Sequence, residues 1–231
     1  MRVEVTAVDV VSADEKPWYR VGGIAALVIA IAYITIFPLY ARVGAPPSGG
    51  EAWFKYLPGK TATWWTILVL SVFTDFLFIP VAFALYLCLK RINRHAMLLA
   101  TAFVGLFVVL DLAVTWSHYA SILTLYHNYA TASDEAQRAS YIAAADYASA
   151  MLTCPLEIVY AIVTLSSGIL VIGFVMLRGG FNKATAYVGL ATGILGVASI
   201  TGESLTIVGN ALFATAWLFF VGYRLYALCH E

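Results

Sequence analysis

Charged residues divide this chain into long uncharged stretches, most of them continuous apolar runs with no two-residue alternation. A helix needs roughly 20 apolar residues, each rising about 1.5 Å, to cross about 30 Å of hydrocarbon. Reading between charges gives six such segments, near 21–41, 64–89, 96–125, 149–177, 184–202 and 204–223. Two of them carry an acid near mid-length, Asp75 and Asp111. A central Asp costs about 2.5–3.5 kcal/mol on an insertion scale, and each Leu, Ile, Phe or Val returns about 0.3–0.6 kcal/mol. The second segment holds fourteen of those four residue types between Ile67 and Leu87. Their sum of about 6 kcal/mol outweighs the cost of Asp75, so the segment inserts. The pattern predicts an all-α fold, a polytopic six-helix transmembrane bundle over 21–226 behind a cytoplasmic tail at 1–20.

The polar intervals differ in kind. Residues 42–63, with Pro46-Pro47-Ser48-Gly49-Gly50, are rich in turn formers and read as a loop over the outer face. Residues 133–151 are Ala-rich and lack breakers, opening with Asp134 and Glu135 after a candidate Ser133 cap. They read as a helix on the outer surface or as an outward extension of the fourth span. Pro155 is expected to kink that span. Gly189, Gly193 and Gly196 mark a small-residue face on the fifth segment where another helix can pack closely.

Composition supports a membrane location. Of 231 residues, 62% are hydrophobic and only 11% charged, against about 25% charged in soluble domains. Thirteen basic and thirteen acidic residues balance to zero, which removes nucleic acid as a partner, since phosphate binding wants a basic surface. Cys88, Cys154 and Cys229 are far apart and form no CxxC pair, so they imply neither a disulfide framework nor a zinc site. With the N-terminus inside, nine basic residues fall on cytoplasmic segments and four on outer ones, which predicts both termini on the cytoplasmic side of the cell membrane. Trp18 and Tyr19 then mark the inner edge of the first span, and Trp53, Trp64 and Trp65 the outer edge of the second. Acidic residues precede the first apolar run, which is 21 residues long between Arg20 and Arg42. It reads as a retained span and not as a cleaved leader.

Two motifs carry a family resemblance: Tyr19-Arg20-Val21-Gly22-Gly23 at the start of the first span, and Pro80-x-x-Phe83-Ala84-Leu85-Tyr86-x-x-Leu89-Lys90-Arg91 at the end of the second. Through them the chain resembles a family of six-span bacterial and archaeal membrane proteins of similar length. The resemblance covers 20–226 and implies architecture alone, with no activity or site residues.

The chemistry lies in an imbalance. Asp75 and Asp111 fall at mid-membrane by count, Glu157 near the outer edge of its span, and Glu203 at the outer turn between the last two. No Lys or Arg lies inside a span to balance them. Ionisable groups within a membrane are costly and often functional. Each acid must be protonated, bonded to polar neighbours, open to water or paired with a cation. Asp111, Thr115 and His118 follow i, i+4, i+7 spacing and share one helix face. Such a carboxylate and imidazole can relay a proton. Thr153, Glu157, Tyr160 and Thr164 form a second stripe, and Glu203, Thr206 and Asn210 a third. Asp75 reads equally as a bonded structural carboxyl or as a functional one, and so does Glu157. Glu203 suits a helix N-terminus.

Three function classes follow. The leading one is binding or proton-linked transport of a small solute or cation in an outward-facing polar pocket, using Asp75, Asp111, His118, Glu157, Tyr160 and Glu203. The second is a non-catalytic interaction or assembly subunit, in a homo-oligomer or membrane complex, whose polar stripes only hold helices together. An enzyme using Asp111 and His118 as acid and base comes third. HExxH, GxSxG and Walker motifs are absent from the sequence, and no cofactor or metal is expected. The expected partners are the lipid bilayer and a small solute or cation.

Overall fold

The computed structural model describes residues 14–230, so residues 1–13 of the expected tail lie outside the described residues. Helix α1 spans Lys16–Val43 with a proline in its first turn, where the fixed φ of Pro17 suits helix entry. Residues 16–20, assigned to the tail from sequence, therefore begin the first helix, and Tyr19 is buried. A short α2, Gly50–Tyr56, lies within the turn-rich 42–63 interval.

The next helical run extends to Thr131 but is broken at Asn93, which has extended backbone (φ −154°, ψ 93°). This break gives α3 (61–92) and α4 (94–131). The Asn93 side-chain oxygen accepts the Ala96 N–H at 3.1 Å, capping α4 as Asn does at helix starts. The Phe78 and Phe107 rings lie 5.6 Å apart, although a straight helix would separate them by about 43 Å. The two arms therefore fold back on each other.

Helix α5 is Glu135–Leu152, close to the expected 133–151. Its cap is Asp134 and not Ser133: the Asp134 carboxylate accepts the Gln137 N–H at 2.7 Å. The fourth apolar segment is not one kinked rod from 149 to 177. Thr153 and Cys154 leave the helix, and Pro155 opens a new one, α6, at Pro155–Met176. Proline lacks the N–H that a continuing helix needs but fits a first turn, so it breaks the chain here instead of bending it. Helix α7 is Lys183–Ala198, capped by Asn182, and α8 is Ser204–Leu228. The described residues contain no strand.

Neighbouring helices close a circuit. Gly22 of α1 lies against the Pro80 carbonyl and Ala84 of α3, and Gly23 against the backbone of α8 at Gly222 and Tyr226. A Cβ at either position would collide with the facing helix, so these glycines set how closely α1 packs on both neighbours. Gly168 joins α6 to α4 through Ala100 and Val104. Gly193 packs on Leu170 of α6, and Gly189 on Trp217 of α8. The small-residue face of α7 is thus spent inside the molecule. The shared core runs through Ile29, Phe78, Leu85, Met97, Phe107, Ile169, Trp217 and Leu218.

At the end of the molecule away from Asn93, α2 and α5 form a cap. The Gly50 N–H donates to the Asp146 carboxylate, and the Gly49 N–H donates to Ser149 Oγ at 2.8 Å. Trp53 and Trp64 are buried here, with Trp64 stacked on Tyr119 at 5.1 Å. They are core residues of the cap, whereas Trp65 is exposed. Outer helix faces are as apolar as the interior: Ile31, Val69, Phe73, Phe76, Val109, Phe174, Ile194 and Leu212 are all exposed. A water-soluble chain rarely exposes so large an apolar surface. Among the described residues, five helices are long and apolar enough to cross a membrane: α1, the bent Thr61–Thr131 unit, α6, Lys183–Thr201 and α8.

Candidate functional site

Asp75 and Asp111 each stand eighteen residues from Asn93, one before the bend (75 to 93) and one after it (93 to 111). A hairpin hinged at Asn93 must bring them to the same level, about 27 Å along the helix axis. There the two buried carboxyls come within electrostatic reach of each other. The Trp116 indole N–H donates to Asp111 Oδ2 at 3.0 Å. Asp75 Oδ2 and Asp111 Oδ1 are buried with no hydrogen-bond partner. Two negative charges cannot share such a place without a proton or a cation between them.

The pair borders a partly open cavity of about 270 Å³. Tyr33, Ile36, Phe37 and Tyr40 of α1 form one wall, and Ser71 and Thr74 of α3 flank Asp75. Helix α4 contributes Phe107, Thr115, Trp116 and Tyr119 beyond Asp111. Helix α6 supplies Glu157, Ala161, Ile162, Leu165 and Ser166, and α8 supplies Ile207, Asn210, Ala211 and Ala214. Thr115 Oγ1 donates to Glu157 Oε1 at 3.4 Å, which links the third acid to the α4 wall. Across the cavity, Asn210 Nδ2 donates to Ser166 Oγ at 3.2 Å and to the Thr192 carbonyl at 2.8 Å.

Two of the wall helices leave α-helical register beside their acids. Residues Asp111–Trp116 form a π-helical turn, and so do Val159–Val163. In a π turn the bonding partner is five residues away, which is the spacing between Asp111 and Trp116. The same spacing joins Thr164 Oγ1 to the Val159 carbonyl at 2.6 Å. These turns redraw the stripes read from sequence. Beyond its π turn α4 is rotated by about one residue, so Tyr119 takes the wall position that α-helical spacing gives to His118. His118 turns toward α5, with its ring 6.0 Å from Tyr147 and its Nδ1 in contact with the Val114 carbonyl. It is not a cavity residue. On α6, Ala161 and Ile162 replace Tyr160, which also lies off the wall.

Glu203 is exposed and does not reach the cavity. It is the N-cap residue of α8, with extended backbone (ψ 121°), and its carbonyl accepts the Thr206 hydroxyl at 2.7 Å. Of the six residues expected at the site, the structure brings together Asp75, Asp111 and Glu157, and leaves out His118, Tyr160 and Glu203. No protein-family model, curated protein or solved structure matches this chain. The site rests on its own geometry.

Residues that the sequence reading passed over are chiefly aromatic. Tyr33, Tyr40, Trp116 and Tyr119 sit among apolar neighbours that make any aromatic look like core. Tyr33, Phe37 and Tyr40 do share α-helical spacing on α1, and that was the available signal. No group of three His, Cys, Asp or Glu among the described residues is placed to hold a metal ion.

Proposed function

We propose that this is a multi-pass protein of the cell membrane with six crossings, in which α3 and α4 each span, and with both termini in the cytoplasm. In this reading it belongs with the six-span family that it resembles. The two motifs carrying that resemblance meet at Gly22, Pro80 and Ala84, which gives them a packing role. The cavity lies in the outer half, on the side of α2 and α5, and serves small-solute binding or proton-linked transport.

One observation carries this reading: a half-open cavity in a lipid-facing bundle keeps two buried carboxyl oxygens without donors. A purely structural acid would be expected to have its oxygens satisfied by neighbouring helices. Asn210 shows that outcome, bridging α6 and α7, and its stripe supports the assembly reading for α8 alone. The Asp pair does not.

Access tests the proposal. Ala211→Cys, in a chain with Cys88, Cys154 and Cys229 changed to Ser, places one thiol on the cavity wall. A membrane-impermeant thiol reagent is expected to modify it in right-side-out vesicles and not in inverted ones. Protection in both preparations means a sealed interior and removes the pocket. Modification only in inverted vesicles reverses the orientation.

A further inference from the structure

Among the described residues, three carboxyl groups line the cavity, and no Lys, Arg or His does. Asp75 and Asp111 are only 3% and 4% exposed, yet each keeps an oxygen with no donor. What the site lacks is therefore a donor, and one with positive charge, since a charge-assisted bond is stronger than a neutral one. Around the pair stand the rings of Tyr33, Tyr40, Trp116 and Tyr119. Aromatic rings attract cations that carry apolar groups. The volume of about 270 Å³ is far more than a bare metal ion fills, and the acids are not grouped as metal ligands.

We infer that the cavity takes a small alkylammonium ion, whose N–H groups bond the carboxylates of Asp75 and Asp111 while its alkyl body rests among the aromatic rings. The inference rests on the solute-binding reading and names its ligand class. A proton on the Asp pair competes for the same oxygens, so one that occupies them leaves to water as the cation enters. The other titratable groups around the pair are Glu157 from α6, Tyr33 and Tyr40 from α1, and Tyr119 from α4; α8 brings only the neutral Asn210 amide. Acid conditions therefore weaken binding.

Calorimetric titration of the detergent-purified protein tests this with four probes: ethylammonium, tetramethylammonium and sodium chlorides, and neutral 1-propanol. Ethylammonium is expected to bind at pH 8 and more weakly at pH 5. Tetramethylammonium, which has no N–H, should bind at least about tenfold more weakly. Sodium and propanol should give no saturable heat. Asp111→Asn should abolish ethylammonium binding, and unchanged affinity in that variant overturns the assignment to the pair. Propanol binding with ethylammonium inert keeps the solute cavity and overturns the cation class. Sodium binding as tight as ethylammonium overturns the alkylammonium class in favour of an inorganic ion. If none of the four binds, the cation class is overturned, and the thiol-access result then decides whether the cavity itself survives.

Discussion

At the residue scale, the contact that most distinguishes this site is the Trp116 indole bonded to Asp111. It satisfies one oxygen of the Asp111 carboxyl while the other keeps no donor. Trp116→Phe keeps the ring and deletes the donor, so it should destabilise the detergent-solubilised protein by about 1–2 kcal/mol, read by thermal unfolding. An unaltered melting temperature would show that the bond contributes nothing. His118 provides the contrast. It lies against Tyr147 outside the cavity, so His118→Ala should leave ethylammonium affinity within about twofold of wild type, below the 1.4 kcal/mol of a tenfold change. A tenfold loss would return the imidazole to the site. The acids themselves were legible, because an unbalanced carboxyl in a long apolar run stands out in any reading. Their partners were not, since Trp116 and Tyr119 resemble ordinary core aromatics until the backbone aims them.

At the scale of elements, helix register decides which residues meet. The α-helical period predicts Asp111, Thr115 and His118 on one face, and one π turn is enough to exchange His118 for Tyr119. No sequence feature in 111–116 announces that turn, because Asp111, Leu112, Ala113, Val114, Thr115 and Trp116 include neither Gly nor Pro and all occur in ordinary α-helix. Close packing between α6, α7 and α8 is the other determinant here. A Cβ at Gly196 would strike Ser166 and the Asn210 amide, whereas nothing stands near Gly105. Gly196→Ala should therefore lower stability by about 1–3 kcal/mol through overpacking. Gly105→Ala should raise it by about 0.5–1 kcal/mol through helix propensity. Thermal unfolding of the two variants side by side checks the pair, and equal shifts would mean that the α7 face is not tightly packed.

At the scale of the whole molecule, the ends are held differently. The end near Asn93 is tied by Glu15, whose carboxylate accepts from Lys90 Nζ at 2.8 Å and from the Tyr19 hydroxyl at 2.9 Å. Burial opposes ionisation of Glu15, but these bonds and the charges of Lys90 and Arg91 together hold its carboxyl below the usual value of 4.5. A lowered folded-state value stabilises the protein above the unfolded one, and that stabilisation is lost as pH falls through the folded value. Wild type should therefore melt higher than Glu15→Gln at pH 7, and the gap should close as pH falls below 4.5. A gap that does not narrow at all on acidification would assign the difference to packing.

The apolar runs by themselves determined that the chain is helical and suited to a bilayer, because the length and continuity of uncharged stretches depend on no distant contact. They also placed the turn near Asn93, where a short basic interval separates two apolar runs, whereas at Pro155 they led to a kinked span and not to the break that the structure has. Tertiary structure alone decided which acids share a chamber. The hairpin at Asn93 carries Asp75 and Asp111 to one level, α6 delivers Glu157 beside Thr115, and π turns rotate His118 and Tyr160 away. Depth and rotation are set by how helices pack against one another, and a linear pattern records neither.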